Sequence, residues 1–270
     1  MGMKVEFITE FGNDKAGELI TEFLRANSVE IKNSIKHNNC KTTLALAFLD
    51  ENKNASYSFY TDFPETIGQF QIPDFNGNDI LLFGSFYSVN PERRKMVSSI
   101  IEAASHAGAF IYYDVNIRPA HQSQIPDLMN SYIENMRNST VVKGSTEDFD
   151  ILWGINNPDK IFEKVKEFCS TLIVTDGGKP LYFNHEGNAK FYSVPEIIPV
   201  STIGAGDNFN AGFVCGLNNS VTSQPKELLK NEPAFDKMVS CGIAFSTEVC
   251  QSEDNYIKGN FEREFWKKFL

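Results

Sequence analysis

STIGAGDNFNAGF, residues 201–213, is the stretch that decides how this chain folds. Three small residues, Gly204, Ala205 and Gly206, stand directly before a carboxylate, Asp207. Large apolar residues then recur at every fourth position, as on one face of a helix: Phe209, Phe213 and Leu217. Glycine permits close approach to the backbone, and the first N–H groups of a helix lack intrahelical partners and carry its positive dipole. The stretch therefore predicts a helix whose N-terminus can hold an anion at residues 204–207.

Asp207 has two physically reasonable roles on this local pattern alone. A carboxylate at a helix start commonly caps the helix, and a carboxylate beside a bound phosphate can accept a proton from an attacking hydroxyl.

Two other phosphate-binding loops do not fit this sequence. The chain has no G-x-x-x-x-G-K-[ST] string, and Phe209 occupies the third glycine position of G-x-G-x-x-G. A dinucleotide-dependent dehydrogenase is therefore only a weak alternative.

Strand-like and helix-like segments alternate through most of the chain, which predicts an α/β fold with a mainly parallel sheet and helices on both faces. Strands are predicted at 5–8, 42–49, 55–60, 80–83, 110–113, 140–142 and 171–174, with an extended segment at 191–200. Helices are predicted at 14–27, 91–107, 125–137, 158–169, 234–249 and 261–269, together with one that begins near Asp207 and includes 209–217. No linker divides the chain, so we expect a single domain, 1–270, with a small β lid at about 38–66.

Composition narrows the partners and the compartment. The 270 residues carry a formal net charge of -10, which disfavours binding to nucleic acid. Local backbone dipoles can still bind a small anion. The five cysteines form no C-x-x-C pair, so neither a disulfide framework nor a zinc site is expected and a reducing cytoplasm fits best. No apolar stretch approaches the length of a membrane span.

Three further polar clusters follow predicted strands, at the edge of a parallel sheet where ligands bind. They are DVNIRP at 114–119, KGSTED at 143–148 and TDGG at 175–178. Taken alone, Asp114, Asn116 and Arg118 of the first cluster could simply turn the chain after a strand, and Pro119 favours that interpretation.

Taken together, the four clusters resemble the motifs of the ribokinase-like sugar kinases, the PfkB carbohydrate kinase family. STIGAGDNFNAGF is similar to the family's D-T-x-G-A-G-D signature, with Ser201 in place of the leading Asp. DVNIRP resembles D-P-N-x-R-P, KGSTED resembles K-x-N-x-x-E, and TDGGKP resembles T-x-G-x-x-G. They occur in the family's order, and the resemblance covers nearly the whole chain. It implies a three-layer ribokinase-like fold with a β lid.

The resemblance also implies roles for individual residues. Asp207 would be the general base, beside an anion hole formed by Gly204, Ala205 and Gly206. The residues implied in nucleotide binding are Thr175, Gly177, Lys143 and Ser145. Those implied in substrate or phosphate binding are Asp114, Asn116 and Arg118. Asp148 would act indirectly on the metal. The chain departs from the motifs at Ser145, where the family has Asn, at Asp148, where it has Glu, and at Pro180, where it has Gly.

The implied reaction transfers the γ-phosphate of ATP, with Mg²⁺, to a hydroxyl of a small sugar or sugar acid. Fructose is favoured over 2-keto-3-deoxygluconate and ribose. The same resemblance leaves open a monovalent cation and a homodimer formed through the β lid.

The front of the chain departs most from the family. Members usually begin with a strand that carries a sugar-binding Asp, followed by a Gly-Gly…Asn segment. Here FGNDKAGELITEFLRANSV, residues 11–29, resembles the helix that comes after them. We therefore expect part of the sugar pocket to be absent. This keeps a catalytically silent sugar- or nucleotide-binding protein as the alternative, and ligand binding without turnover would favour it.

Overall fold

A computed structural model describes residues 2–49, 55–62, 64, 67, 70–218, 225, 232–257, 261 and 265. The chain divides into two compact units, 1–73 and 74–270, and each is described by itself. The whole of the predicted turn at 50–54 and most of the predicted C-terminal helix at 261–269 lie outside the described residues. Within the described part, no helix combines the length and apolar character needed to cross a membrane.

The described residues of the first unit form one helix and six short strands. In chain order they are β1 Val5–Glu6, β2 Glu10–Gly12, α1 Lys15–Ala26, β3 Val29–Glu30, β4 Ile35–His37, β5 Leu44–Leu49 and β6 Ala55–Tyr60. β1 pairs with β3 and β2 with β4 in parallel, and β5 and β6 form an antiparallel hairpin. The predicted helix and hairpin are confirmed. The two-residue β3 and three-residue β4 were not predicted, because segments this short carry no periodicity.

Asp14 fastens the start of α1 to the segment that leads into the hairpin. Its carboxylate accepts hydrogen bonds from the Gly17 amide at 2.9 Å, the Thr42 amide at 2.9 Å and the Thr42 hydroxyl at 2.7 Å. These bonds stabilise the ionised form, first through Gly17 and then through Thr42, and lower the pKa of Asp14 to about 2. Asp14 is therefore the N-cap of α1 and also ties the helix to the base of β5.

The second unit is built on a six-stranded sheet. Its elements are β7 Ile80–Gly84, α2 Arg94–His106, β8 Phe110–Asp114, α3 Ile125–Arg137, β9 Val141–Ser145, α4 Thr146–Trp153, α5 Pro158–Val165, β10 Thr171–Thr175, β11 Leu181–His185, β12 Asn188–Tyr192, α6 Ala205–Asn218 and α7 Glu232–Cys250. The strand order is β12-β11-β10-β9-β8-β7. Strands β7 to β10 are mutually parallel, whereas β11 and β12 are antiparallel. The predicted mainly parallel sheet is confirmed.

Helices cover both faces of this sheet, as predicted, because alternate residues of each strand point to opposite sides. On one face Tyr113, Val142 and Leu172 pack with the buried residues of α3, α4 and α5. On the other face Tyr112 and Ile173 pack with those of α6 and α7. The two apolar cores hold the sheet in the middle of a three-layer arrangement.

Three elements of this unit differ from the prediction. The segment 191–200 was expected to be extended, but the strand is Asn188–Tyr192 and forms a hairpin with Leu181–His185. The reversal lies at Glu186, with φ of 51°, and Gly187, with φ of 89°. Helix α4 was also missed, because residues 146–153 were considered only as part of a polar motif.

Candidate active site

The N-terminus of α6 lies in the stretch that contains three small residues before Asp207. The first i to i−4 hydrogen bond of the helix runs from the Asn208 amide to the Gly204 carbonyl at 2.9 Å. Gly204 has a φ of +81°, and a Cβ there would lie 2.7 Å from the Asn255 carbonyl oxygen, so this position requires glycine. The Asn208 side chain donates to both carbonyls, at 2.9 Å and 3.0 Å. The turn is therefore fixed to residue 255.

Two backbone donors remain open at this end of α6. The Ala205 amide donates to the Thr202 carbonyl at 3.2 Å. The amides of Gly206 and Asp207 precede the first intrahelical bond, and no described residue accepts a hydrogen bond from them. With the positive end of the helix dipole behind them, these donors can hold an anion.

Asp207 stands in the first turn of α6, and it is not the cap of the helix. The helix begins at Ala205, and Gly204 is the residue whose carbonyl accepts the first helical bond, so the capping role considered for Asp207 is wrong. The Asp207 side chain reaches solvent. Desolvation by the surrounding atoms, followed by the negative charge of Asp114, raises its pKa, while Lys143 and Arg118 oppose the shift. A carboxylate with a raised pKa is a stronger proton acceptor than an ordinary one.

A buried ion pair lies behind the α6 N-terminus. The parallel register places Asp114 at the end of β8 beside Lys143 of β9. The Lys143 Nζ lies 3.1 Å from Asp114 Oδ1 and 3.0 Å from Oδ2. The Asn210 side-chain Nδ2 donates to Asp114 Oδ2 at 2.6 Å, and the Tyr112 hydroxyl donates to Asn210 Oδ1 at 3.1 Å. All four residues are buried.

Asn210 and Tyr112 were not singled out from the sequence. The available signal was a polar residue on the apolar face of a predicted helix, at the position after Phe209. Such a residue needs a buried partner. The sequence alone does not say that the partner is a carboxylate on a strand 96 positions earlier.

Ser145 and Asp148 form the capping box of α4. The Asp148 amide donates to Ser145 Oγ at 3.1 Å, and Asp148 Oδ2 accepts from the Ser145 amide at 2.6 Å and its hydroxyl at 2.8 Å. Asp148 Oδ1 accepts from the Ile117 amide at 2.7 Å. Both oxygens of Asp148 are thus bonded inside the protein. Burial, the largest influence, raises the pKa of Asp148.

Asn116 and Arg118 follow β8 in the same neighbourhood. Asn116 adopts a left-handed backbone with φ of 39°, and Arg118 is exposed. Arg118 is close enough to Asp207 to lower its pKa electrostatically. The structure therefore brings Asp114, Arg118, Lys143 and Asp207 into one electrostatic environment.

An open cleft of about 510 Å³, including the solvent at its mouth, adjoins the start of α6. Ala205 and Gly206 form one side, and Thr175, at the end of β10, and Gly177, just after it, line the cleft as well. Lys143 and Ser145 are not among its lining residues. Three α7 residues, Ile243, Ser246 and Thr247, complete the wall and were not singled out from the sequence. Periodicity predicted their helix, but it does not indicate which helix face borders a cleft.

Metal ligands are not preassembled here. The described residues contain no group of three or more His, Cys, Asp or Glu side chains that could hold an ion. Chemically, the arrangement offers open amides, a basic carboxylate and a buried ammonium beside a cleft. These features suit a phosphate-bearing ligand and proton transfer from a hydroxyl.

The chain belongs to the pfkB family of carbohydrate kinases, whose model matches residues 1–255. It is 25% identical to probable fructokinase-5 of Arabidopsis thaliana over 263 residues, covering 92% of this chain and 78% of that protein. It is 24% identical to 5-dehydro-2-deoxygluconokinase of Geobacillus thermodenitrificans over 234 residues, covering 81% of this chain and 68% of that protein.

The fold is that of the ribokinase-like kinases. A fructokinase from Vibrio cholerae O395, solved in its fructose, ADP and potassium ion bound form, superposes with a TM-score of 0.81 at 20% identity. The match covers 93% of this chain and 80% of that structure. The predicted ribokinase-like fold and carbohydrate kinase family are thereby confirmed.

Proposed function

We propose that this protein is an ATP-dependent sugar kinase that transfers the γ-phosphate of ATP to a hydroxyl of a small sugar. The observation that carries the proposal is the start of α6, where Gly206 lines a cleft and the open amides of Gly206 and Asp207 adjoin the Asp207 carboxylate. Fructokinases among the relatives favour a fructose-like substrate. Because another relative is a 5-dehydro-2-deoxygluconokinase, a sugar acid such as 2-keto-3-deoxygluconate remains a candidate substrate, as does ribose.

In this mechanism Asp207 is the general base. Its carboxylate accepts the proton of the attacking sugar hydroxyl, and its raised pKa makes the transfer more favourable. The amides of Gly206 and Asp207 donate to the transferred phosphoryl group, with Gly204 and Ala205 shaping the turn that presents them. Phosphoryl transfer depends mainly on positioning and charge stabilisation, which these groups supply without further covalent chemistry.

The cleft at Thr175 and Gly177 would bind the nucleotide. Its position beside Gly206 supports this assignment, since a nucleotide there directs its phosphates to the α6 N-terminus. Asn116 and Arg118 would contact substrate or phosphate from the other side. Mg²⁺ supplies charge neutralisation when bound with ATP and is typically held by phosphates, water and one or two carboxylates. Asp148 can act on such an ion only through bound water, because both of its oxygens already accept hydrogen bonds inside the protein.

The assembly and the compartment are part of the proposal. The hairpin of β5 and β6 exposes Leu44, Leu46 and Tyr60, at 50%, 45% and 60%. Leu44 pairs directly with Tyr60, so these side chains share one face of the hairpin. An exposed apolar face of this kind supports a homodimer formed through the lid. The five cysteines, all among the described residues, form no disulfide, which supports a reducing cytoplasm.

The test is ADP release from ATP and Mg²⁺ across fructose, 2-keto-3-deoxygluconate and ribose, with and without K⁺. Asp207→Asn should lower kcat by about 10²- to 10⁴-fold, the range that a general base contributes, and should leave nucleotide affinity nearly unchanged. Asp127→Asn is the matched control, because Asp127 is also an exposed acid in the first turn of a helix. Retained turnover in Asp207→Asn would refute the base assignment. Nucleotide binding without turnover in the wild type would instead indicate the silent binding protein.

A further inference from the structure

Lys143 carries a positive charge into the interior of the second unit. Its side chain is only 6% exposed, and two of its three N–H groups are directed to the Asp114 oxygens. Among the described residues, none accepts a hydrogen bond from the third. A Cβ built on Gly206 would lie 3.3 Å from the Lys143 Nζ, so the ammonium lies close to the turn that bears the open amides. The unpaired N–H therefore lies beside the anion site.

Asp114 is fully engaged in holding this lysine. Both carboxylate oxygens contact the Lys143 Nζ, and Oδ2 also accepts the short bond from Asn210. Asn210 is itself fixed by the Tyr112 hydroxyl. A carboxylate with both oxygens committed has little capacity left for a ligand, and its charge repels phosphate. The geometry thus gives Asp114 the place of an internal counter-ion, although the sequence motif suggested a substrate or phosphate contact.

We propose that Lys143 donates its third N–H to the transferred phosphoryl group at the start of α6, and that Asp114 is the residue that positions it. This inference rests on the proposed kinase function. In the reaction the bond from the γ-phosphorus to the ADP oxygen breaks and the bond to the sugar oxygen forms. The hydroxyl proton passes to Asp207. Lys143 keeps its proton and stabilises the negative charge on the non-bridging oxygens.

The first experiment separates this role from ordinary nucleotide binding. Calorimetry would measure binding of ADP alone and of ADP with aluminium fluoride and Mg²⁺, a mimic of the transferring phosphoryl group. Lys143→Met should bind ADP within about 3-fold of wild type, because no phosphoryl group is then present beside the lysine. It should bind the mimic more weakly by about 10²- to 10³-fold, the loss typical of one charge-stabilising donor. Equal binding of the mimic by both proteins would overturn the inference while leaving the kinase function intact.

Wild-type protein that binds no ADP would overturn the proposed function, and this inference with it. A parallel loss of ADP and of the mimic in Lys143→Met would assign the lysine to general nucleotide affinity and would also overturn it. A double variant, Lys143→Met with Asp114→Asn, controls for folding, since removing both buried charges avoids an unpaired one. If the double variant is more stable than Lys143→Met but its kcat stays low, the proposal is supported. If its kcat returns to the wild-type value, the ion pair has only a structural role.

A pH profile tests the positioning role of Asp114. The charged groups that act on Asp207 are Asp114 from β8, Lys143 from β9 and Arg118 from the loop after β8. Asp114→Asn removes the carboxylate that raises the Asp207 pKa, so the acid limb of kcat/KM should move to lower pH. The variant should also lose kcat, because Lys143 is held less firmly. A reduced kcat with an unmoved acid limb would contradict this arrangement, since structural damage alone does not shift the limb in this direction.

Discussion

The variant Gly212→Ala tests whether close packing of α6 against α7 fixes the position of Asp207. Gly212 lies on the buried side of α6, where this helix packs against α7. A Cβ at this position would lie 2.4 Å from the Cys241 carbonyl oxygen, which belongs to the α7 backbone and cannot rotate away. Helix propensity alone favours alanine over glycine by about 1 kcal/mol. Packing and propensity therefore predict effects of opposite sign on the free energy of unfolding.

The clash between the added Cβ and the Cys241 carbonyl oxygen determines the expected loss in the free energy of unfolding. An ordinary contact begins at 3.4 Å, so the two helices must separate by the difference between 3.4 Å and 2.4 Å, or 1.0 Å, at this point. Forced overpacking of a well-packed core costs about 1–3 kcal/mol. We use the upper end because the obstacle is backbone. After subtraction of the propensity gain, the expected loss is about 2 kcal/mol, or about 4–8 °C in Tm for a protein of this size.

Thermal unfolding and kinetics measure the two consequences. A displacement of about 1 Å at α6 would also move the open amides and Asp207, so kcat/KM should fall by about 10²-fold well below Tm. Ala211→Gly is the matched control at the neighbouring exposed position, where only the propensity loss of about 1 kcal/mol applies. A Tm that rises or stays constant in Gly212→Ala would refute the close-packing argument.

Three other changes have defined outcomes. Gly206→Val places a branched side chain against the Lys143 Nζ, which Asp114 holds in place, and kcat should fall by about 10²-fold; unchanged kinetics would locate the anion hole elsewhere. Ser145→Ala removes the cap of α4 and should lower the free energy of unfolding by about 1 kcal/mol in urea titrations. Asp14→Ala should be less stable than wild type at pH 6. Because the folded pKa of Asp14 is about 2 and its ordinary value is 3.8, this difference should be complete above pH 3.8 and shrink as pH falls towards 2. A difference independent of pH would exclude the ionised carboxylate as its cause.

The fold was predictable where the pattern was long and local. The helices at 14–27 and 125–137 carry strong apolar periodicity, the strand at 110–113 is a continuous apolar run, and the helix at 234–249 is long. The alternation of such segments was enough to predict the sheet with helices on both faces. The hairpin from Leu181 to Tyr192 was missed because its first strand is buried like a parallel strand and lacks polar alternation. Its direction is set by the tight reversal at 186–187, which periodicity does not encode.

The part of the candidate site that lies within one short segment could be predicted from the sequence. The open amides and Asp207 follow from small residues at a helix start, a local feature of 201–213. The roles of Ser145 and Asp148 were harder to predict, because the pattern S-x-x-D is typical both of a capping box and of a polar motif that follows a strand. The partners of Lys143 depend on strand register and on the rotation of α6, which are non-local. The sequence motifs identified Lys143 and Asp114 as candidate site residues, but they did not show that the two side chains form an ion pair.

The pairing also accounts for how a chain of net charge -10 can hold an anion. Around the start of α6 the charges of Asp114 and Asp207 are balanced by Lys143 and Arg118, so the helix dipole and the two open amides decide the local sign. Lys143 is buried and hydrogen-bonded, and its charge is therefore screened less by salt than that of a surface lysine. When Asp207 takes up the sugar proton, its negative charge passes to the attacking sugar oxygen, and the protein groups around the transferred phosphoryl group become more positive. The same proton transfer that activates the nucleophile thus makes the site more positive at the moment when phosphoryl charge must be stabilised.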